Sequence, residues 1–387
     1  MINLTKLLYN VSSYGDELRY RQGLLFKERK PIVVWNATRQ CNLSCIHCYS
    51  DSKNKKYSAE LSTEEAKKMI RDLALFNVPV LLFSGGEPLL RKDFFELNSF
   101  ARDLGLRTVI STNGTLITQK LAAQIKNEGF DYVGISLDGI EKNNDCFRGV
   151  SGAFCLALGG IRNLVAVGQK TGLRFTISRH NHTDIAHILK LTEEEGISRV
   201  CFYHLVYSGR GSSMAEDDLT HIEMRRCMDT LCEWTGHLHA KGIQKEVLTV
   251  DNHADGPYIY LRLKKENSQK ADEVLRLLRY NGGNSSGIGI ANIDNEGFVH
   301  ADQFWRSYSF GNVRERTFGE IWQDTSDALM LKLKERKPYL KGRCKACGFL
   351  DICNGNFRVR AEAVYKDMWQ QDPACYLTDE EITSPHI

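Results

Sequence analysis

At 387 residues and 42% hydrophobic content, the chain is long enough for one large domain, or a domain with a smaller module, and apolar enough for a substantial core. A formal charge of +3 without a dense basic block interleaved with aromatics gives no case for nucleic acid as a partner. No apolar run reaches the roughly 18 residues of a membrane span, and the opening "MINLTKLLYNVSSYG" lacks the pattern of a signal peptide. A cytoplasmic protein with no membrane partner is therefore expected. Its twelve cysteines are then expected as reduced thiols for metal or redox chemistry, not as a disulfide framework.

Residues 1–30 form an N-terminal segment, and from 31 to 240 short apolar runs alternate with amphipathic stretches. The runs "PIVVWN", "VPVLLF", "RTVIST", "YVGISL", "LRFTIS" and "RVCFYHL" read as six strands buried on both faces. Between them, "STEEAKKMIRDLALF" carries a capping box in Ser62 and Glu65, while "KLAAQIKNEG" and "TDIAHILKLTEEEG" stop at Gly129 and Gly196. Repeated β-α units predict a parallel sheet. Six units are too few for a closed eight-stranded barrel, so the expected α/β fold is a partial (β/α)6 TIM-like barrel. Residues 241–285 read as a connecting helical and loop region. Residues 286–387 begin with a hairpin turning at Asp294 to Gly297 and end in a second cysteine group.

The first group, "CNLSCIHC", places Cys41, Cys45 and Cys48 directly after the first predicted strand. That is the carboxyl end of a parallel strand, where α/β folds place their chemistry. Zinc would require a fourth ligand, and the local candidate His47 lies between two of the thiols. Three cysteines on a four-iron cluster leave one iron open to a ligand that is not a side chain. This C-x3-C-x2-C spacing resembles the signature of the radical S-adenosylmethionine (SAM) superfamily. The resemblance implies a [4Fe–4S] cluster whose open iron is chelated by SAM, and reductive cleavage of SAM to a 5′-deoxyadenosyl radical that abstracts hydrogen.

Later strand ends fit one binding site with these cysteines. "SGGEP" supplies Gly85, Gly86 and Glu87, where two glycines let a small ligand approach the backbone. "STNGT" supplies Ser111, Thr112 and Asn113, "SLDG" supplies Ser136 and Asp138, and "NNDCFRG" supplies Arg148. Taken alone, each is also an ordinary turn. The resemblance assigns Gly85, Gly86, Glu87, Asn113, Ser136 and Arg148 to SAM, and "LVYSGRG" to its adenine side.

In the second group Cys344, Cys347, Cys353 and Cys375 can close a site completely, as structural zinc or as an electron-transferring cluster. The spacing resembles the auxiliary-cluster extension called SPASM, which implies a second [4Fe–4S] cluster. A complete extension carries a hairpin cysteine where this chain has Asp302, so two clusters are expected, not three. Asp302 and His300 are either hairpin residues or substrate-facing. The isolated Cys146, Cys155, Cys201, Cys227 and Cys232 are expected in packing.

"KLLYNVSSYGDELRY", "VVWNATRQCNLSCIHCYSDS", "FYHLVYSGRG" and "CNGNFRVRAEAVYKDMW" together resemble a tetrapyrrole-modifying subgroup of the superfamily. It includes the deacetylases that convert 12,18-didecarboxysirohaem to Fe-coproporphyrin III and the enzymes that replace propionates in haem d1 synthesis. The resemblance implies an iron-containing tetrapyrrole substrate and a flavodoxin- or ferredoxin-type electron donor. The deacetylase is the expected activity, with the haem d1 enzyme, a peptide maturase and a non-catalytic zinc-binding protein as alternatives. Candidates for the substrate's carboxylates and flat ring are Arg19, Arg21, Arg39, Arg179, Arg210, His204, Tyr207 and His253, each equally readable as a structural charge or core ring.

Overall fold

The computed structural model describes residues 1–20, 29–266 and 268–383. One sheet runs through it, with strands β1 (Ile2–Asn3), β2 (Ile32–Thr38), β3 (Leu81–Gly85), β4 (Thr108–Thr112), β5 (Tyr132–Ser136), β6 (Thr171–Ile177), β7 (Arg199–His204), β8 (Glu246–Val250), β9 (Ile290–Ile293) and β10 (Val299–His300). Their order is β1-β8-β7-β6-β5-β4-β3-β2-β9-β10. Strands β2 to β8 are parallel, as helical crossovers between consecutive strands require. This is a partial barrel, as expected.

Strands β2 to β7 are the six expected ones. Residues such as Val33, Trp35, Phe83, Val133, Phe175 and Phe202 are completely buried in them, each contributing roughly 1.5–3 kcal/mol of apolar burial. The capping box forms at the helix Thr63–Leu75, where Glu65 N–H donates to Ser62 Oγ at 3.3 Å and Ser62 N–H donates to Glu65 Oε2 at 2.8 Å.

Strand β8 lies in the region expected to be only helix and loop. It opens on a charged residue, Glu246, and is five residues long, which hides its apolar pattern. The charge is accounted for: Glu246 pairs with Arg199, and with Arg19 at 2.7 Å. The N-terminal segment closes this edge, since β1 pairs antiparallel with β8 and Thr5 Oγ1 donates to Lys245 O at 2.9 Å.

At the other edge the hairpin turns as expected, with Gly297 at φ +89° and its N–H donating to Asp294 O at 3.1 Å. β9 pairs in parallel with β2, so the C-terminal region joins the barrel sheet directly. A second tie is Arg360, fully buried against Asp372 at 2.8 Å. Its Nη1 donates to Leu205 O at 3.1 Å and its Nη2 to Asp251 O at 2.7 Å, at the ends of β7 and β8. No single described helix is long and apolar enough to cross a membrane.

Candidate active site

A cavity partly open to solvent lies at the carboxyl ends of the parallel strands. Cys41, Cys45 and Cys48 line it on the loop that follows β2. Main-chain contacts hold that loop. Gly86 N–H donates to Thr38 O at 2.7 Å and Glu87 N–H to Gln40 O at 2.8 Å. A Cβ on Gly85 or Gly86 would stand 2.2 Å from the oxygen of Thr38 or Gln40, respectively. Both glycines line the cavity, but the close approach that demands them is to the cysteine loop, a partner the sequence did not reveal.

The segment expected at the adenine side clasps the same loop. Gly209, at φ +58°, leaves no room for a Cβ beside Tyr49 O. Arg210 donates from its main chain to Cys48 O at 3.0 Å and from Nε to Cys45 O at 2.8 Å, and pairs with Asp51 at 2.9 Å. Arg210 lines the cavity, yet these bonds make it a brace of the loop.

Each thiol has a donor aimed at sulfur. Leu43 N–H reaches Cys41 Sγ at 3.4 Å, Arg148 Nη1 reaches Cys45 Sγ at 3.5 Å, and Ser52 N–H reaches Cys48 Sγ at 3.5 Å. Burial pushes the Cys41 thiol up to about 12 and raises Cys45 against the pull of Arg148. Such groups stay protonated at neutral pH unless a metal replaces the proton. Among the described residues no three His, Cys, Asp or Glu side chains converge closely enough to grip one ion. Three thiols lining one cavity, each offered a hydrogen bond, fit a multi-iron cluster with one iron facing the cavity.

Asn113 and Ser136 line the cavity, with Asn113 Nδ2 3.9 Å from Cys41 Sγ. Glu87 does not reach the wall. Fully buried, it accepts from Thr112 Oγ1 and Asn113 N–H, both at 2.8 Å, and thereby fixes the loop after β4. Burial pushes its carboxyl up to about 7. Arg148 lines the cavity while ion-paired to the buried Asp138, which also faces His47 at 3.6 Å. Burial holds the His47 ring down to about 4, hence neutral.

The other candidates disperse. His204 lines the cavity but is held by Asp255 at 3.0 Å. Arg19 pairs with Asp16 and Glu246, Arg39 with Asp51, and Arg179 donates to Asp218 O at 3.3 Å. None of these three lines the cavity. Tyr207 donates to Asp218 at 2.7 Å in a local core, and His253 packs on Phe357 outside the cavity lining. Arg21 lies outside the described residues. Sequence reasoning missed Tyr49, Arg174, Tyr203, Asp251 and Phe304, all on the cavity wall. A lone arginine inside the apolar run "LRFTIS" was the available signal for Arg174. Asp251 follows the unrecognised β8 and gave none.

The four C-terminal thiols lie near enough to act on one another electrostatically. Cys353 is raised well above its ordinary range by burial and then by Cys375, Cys344 and Cys347 around it. Buried Arg336 and Arg358 stand near them and donate mainly to carbonyls, with no carboxylate at ion-pair distance among the described residues. Burial pushes Arg336 down to about 9 and Arg358 downward. Buried cations without carboxylate partners fit a site that holds thiolates. Asp302 accepts from Phe304 N–H at 2.9 Å, Trp305 N–H at 3.1 Å and Ser286 Oγ at 2.5 Å, while His300 meets Tyr308 O at 2.7 Å. Both are hairpin residues. Cys201, Cys227 and Cys232 are buried as expected, whereas Cys146 and Cys155 are exposed, because each falls on the outer face of its helix and not toward the core.

Residues 35–201 match the family model described as the radical SAM superfamily, and 287–348 match SPASM, the iron–sulfur cluster-binding domain. The Fe-coproporphyrin III synthase of Methanosarcina barkeri is 57% identical over 99% of both chains. The chain belongs to the radical SAM superfamily. The pre-haem d1 synthase of Dinoroseobacter shibae is 43% identical over 97% of this chain and 93% of its own, which sets this radical SAM protein in the tetrapyrrole-modifying subgroup. A mycofactocin maturase of Mycolicibacterium smegmatis is 31% identical over 89% of this chain and 82% of its own. Two solved structures share the fold: anSMEcpe with AdoMet and a peptide (TM-score 0.68, 18% identity, 90% of this chain and 94% of that one), and Streptococcus suis SuiB with S-adenosylmethionine (0.69, 17%, 90% and 78%). The protein is a radical SAM enzyme whose cofactors are SAM and two [4Fe–4S] clusters. The zinc-protein alternative is thereby set aside.

Proposed function

We propose that this enzyme removes two acetate side chains from 12,18-didecarboxysirohaem to give Fe-coproporphyrin III. The observation that carries the reading is the 57% identity, over the whole length, to a protein named for that product. Cys41, Cys45 and Cys48 would hold the cluster that binds SAM, and Cys344, Cys347, Cys353 and Cys375 the auxiliary cluster. Bound there, the first cluster and SAM supply a carbon radical able to take a hydrogen atom from the substrate.

The chain's own residues do the rest. Gly85, Gly86, Asn113, Ser136 and Arg148 would orient SAM, with Glu87 acting through the Asn113 loop. Arg174, stacked 4.7 Å over the Tyr203 ring, offers a guanidinium to a substrate carboxylate. Tyr49 and Phe304, in edge contact at 5.4 Å, offer aromatic surface to a flat ring. A flavodoxin- or ferredoxin-type protein would supply electrons. We place the activity in the cytoplasm, where thiols are kept reduced, since all twelve cysteines are free.

The test is anaerobic incubation of reconstituted protein with SAM, reductant and didecarboxysirohaem, followed by product mass. Loss of two acetate units is expected. A product that keeps its acetates but gains oxo groups would favour the haem d1 reading, which the 43% identical relative supports. SAM cleavage with an unchanged macrocycle would reject both.

A further inference from the structure

The end of β8 brings a carboxylate into the cavity that the roles above do not use. Asp251 is 6% exposed and lines the wall with Arg174, Tyr203 and His204. Its backbone is left-handed at φ +69°, a conformation that Asp tolerates better than most residues. Arg360 Nη2 holds its carbonyl at 2.7 Å. Its Oδ2 is buried and meets no donor among the described residues. Buried carboxylate oxygens are normally satisfied, so an orphan on a cavity wall is poised for a group that is not part of the chain.

Resting on the deacetylase reading, we propose that Asp251 is the proton donor to the departing acetate arm. Release of an arm as acetate breaks the bond between the ring carbon and the arm's methylene. Loss of a hydrogen atom from the neighbouring ring carbon, which is the chemistry SAM would supply when bound, would let a ring double bond form there. The methylene, left as a carbon radical, gains one electron and one proton to become the methyl group of acetate. The electron comes from a one-electron iron–sulfur or flavin reductant, and the proton from the Asp251 carboxyl. Solvent reaches the open cavity and reprotonates the carboxylate for the second arm.

The surroundings keep that proton available. Burial pushes the Asp251 carboxyl up to about 7, against the pull of the Met1 amino group, Arg360 and Arg174 and with the push of Asp302. The Tyr203 phenol is raised and His253 is held neutral by burial, so neither competes for the charge near neutrality. A donor near the working pH is the efficient case for general acid catalysis.

The test is Asp251→Asn in the reconstituted holoenzyme with SAM, reductant and didecarboxysirohaem. We expect unchanged iron content and SAM cleavage, with acetate release slowed about 10²- to 10⁴-fold and partly restored in Asp251→Glu. Wild-type acetate release should fall above pH about 7, and that limb should vanish in the Asn variant. Infrared difference spectra of the substrate-free holoenzyme should show a carboxyl titrating there that the Asn variant lacks. If the Asn variant loses iron, the Glu variant carries the test through a shifted limb. A variant that releases acetate at the wild-type rate, or keeps the limb, overturns this inference alone. Wild-type enzyme that leaves the macrocycle intact overturns the deacetylase reading with it.

Discussion

The two cysteine groups are built by opposite means. Around Cys41, Cys45 and Cys48 the chain uses main-chain hydrogen bonds and close glycine contacts, and the one guanidinium on a sulfur, Arg148, is already paired with Asp138. Around Cys344, Cys347, Cys353 and Cys375 it places Arg336 and Arg358 with no carboxylate at ion-pair distance among the described residues, and Arg343 on the main chain of Cys375 and Leu377 while paired with Asp379 at 2.5 Å. The first arrangement fixes geometry and leaves one side open to a cavity; the second supplies charge to a closed set. Geometry matters where a ligand must bind and react, and charge where an electron is only held or passed on.

The largest effect should come from the thiols themselves. Cys41→Ala is expected to abolish 5′-deoxyadenosine formation and to halve an iron content of about eight per chain. Cys344→Ala is expected to halve the iron as well, yet to retain SAM cleavage while losing macrocycle product. Chromatography of the SAM fragments alongside iron analysis reads both. Retained SAM cleavage in Cys41→Ala would erase the distinction between the two groups.

Next in size is the joint between them. Arg360→Ala removes one partner of a fully buried ion pair and two carbonyl bonds, leaving Asp372 charged and unpaired. A loss of about 3–5 kcal/mol is expected, read from urea unfolding of the holoenzyme. Loss of less than about 1 kcal/mol, the range of surface pairs, would show that the two regions are not coupled through this residue.

Much of the first group was legible because its parts are sequential. Cys41, Cys45 and Cys48 share one loop, Gly85 and Ser136 each end a strand whose apolar run is plain, and Asn113 directly follows another. What escaped was set by tertiary pairing. β8 is a strand because β7 offers it a parallel edge and Arg19 and Arg199 neutralise Glu246, and neither partner is near in sequence. Asp251 was lost with it. Glu87 carries a family role in its motif, but only the fold shows its carboxylate turned to Thr112 and Asn113. Arg336 and Arg358 beside the second group gave no signal in the sequence, because only the closed chain buries them.

Glu87 gives a pH test of the first group's scaffold. Its carboxyl is raised from an ordinary 4.5 to about 7, so the unfolded chain ionises first. Stability from this group is full below pH 4.5 and falls as pH rises toward about 7, by at most about 3 kcal/mol. Glu87→Gln should flatten the urea midpoint across that window. An unchanged slope would mean that the hydrogen bonds from Thr112, Asn113 and Leu89 keep the carboxylate ionised despite its burial.

The smallest expected effect bears most directly on the contrast of geometry with charge. Arg358 lies near Cys344 and Cys353, and its guanidinium donates to Met368 O at 2.9 Å and to Gly355 O. Adding an electron to a thiolate-ligated cluster adds negative charge, which a neighbouring cation stabilises. Arg358→Gln should therefore lower the auxiliary cluster's potential, by about 1–2 kcal/mol or roughly 40–80 mV for one electron. Arg358→Lys should recover part of the shift. The first cluster's potential should stay put, because its nearest guanidinium, Arg148, is untouched and already paired. A redox titration followed by electron paramagnetic resonance separates the two signals. Equal shifts in both would mean that charge is shared across the protein, and that the division between a geometric site and an electrostatic one does not hold.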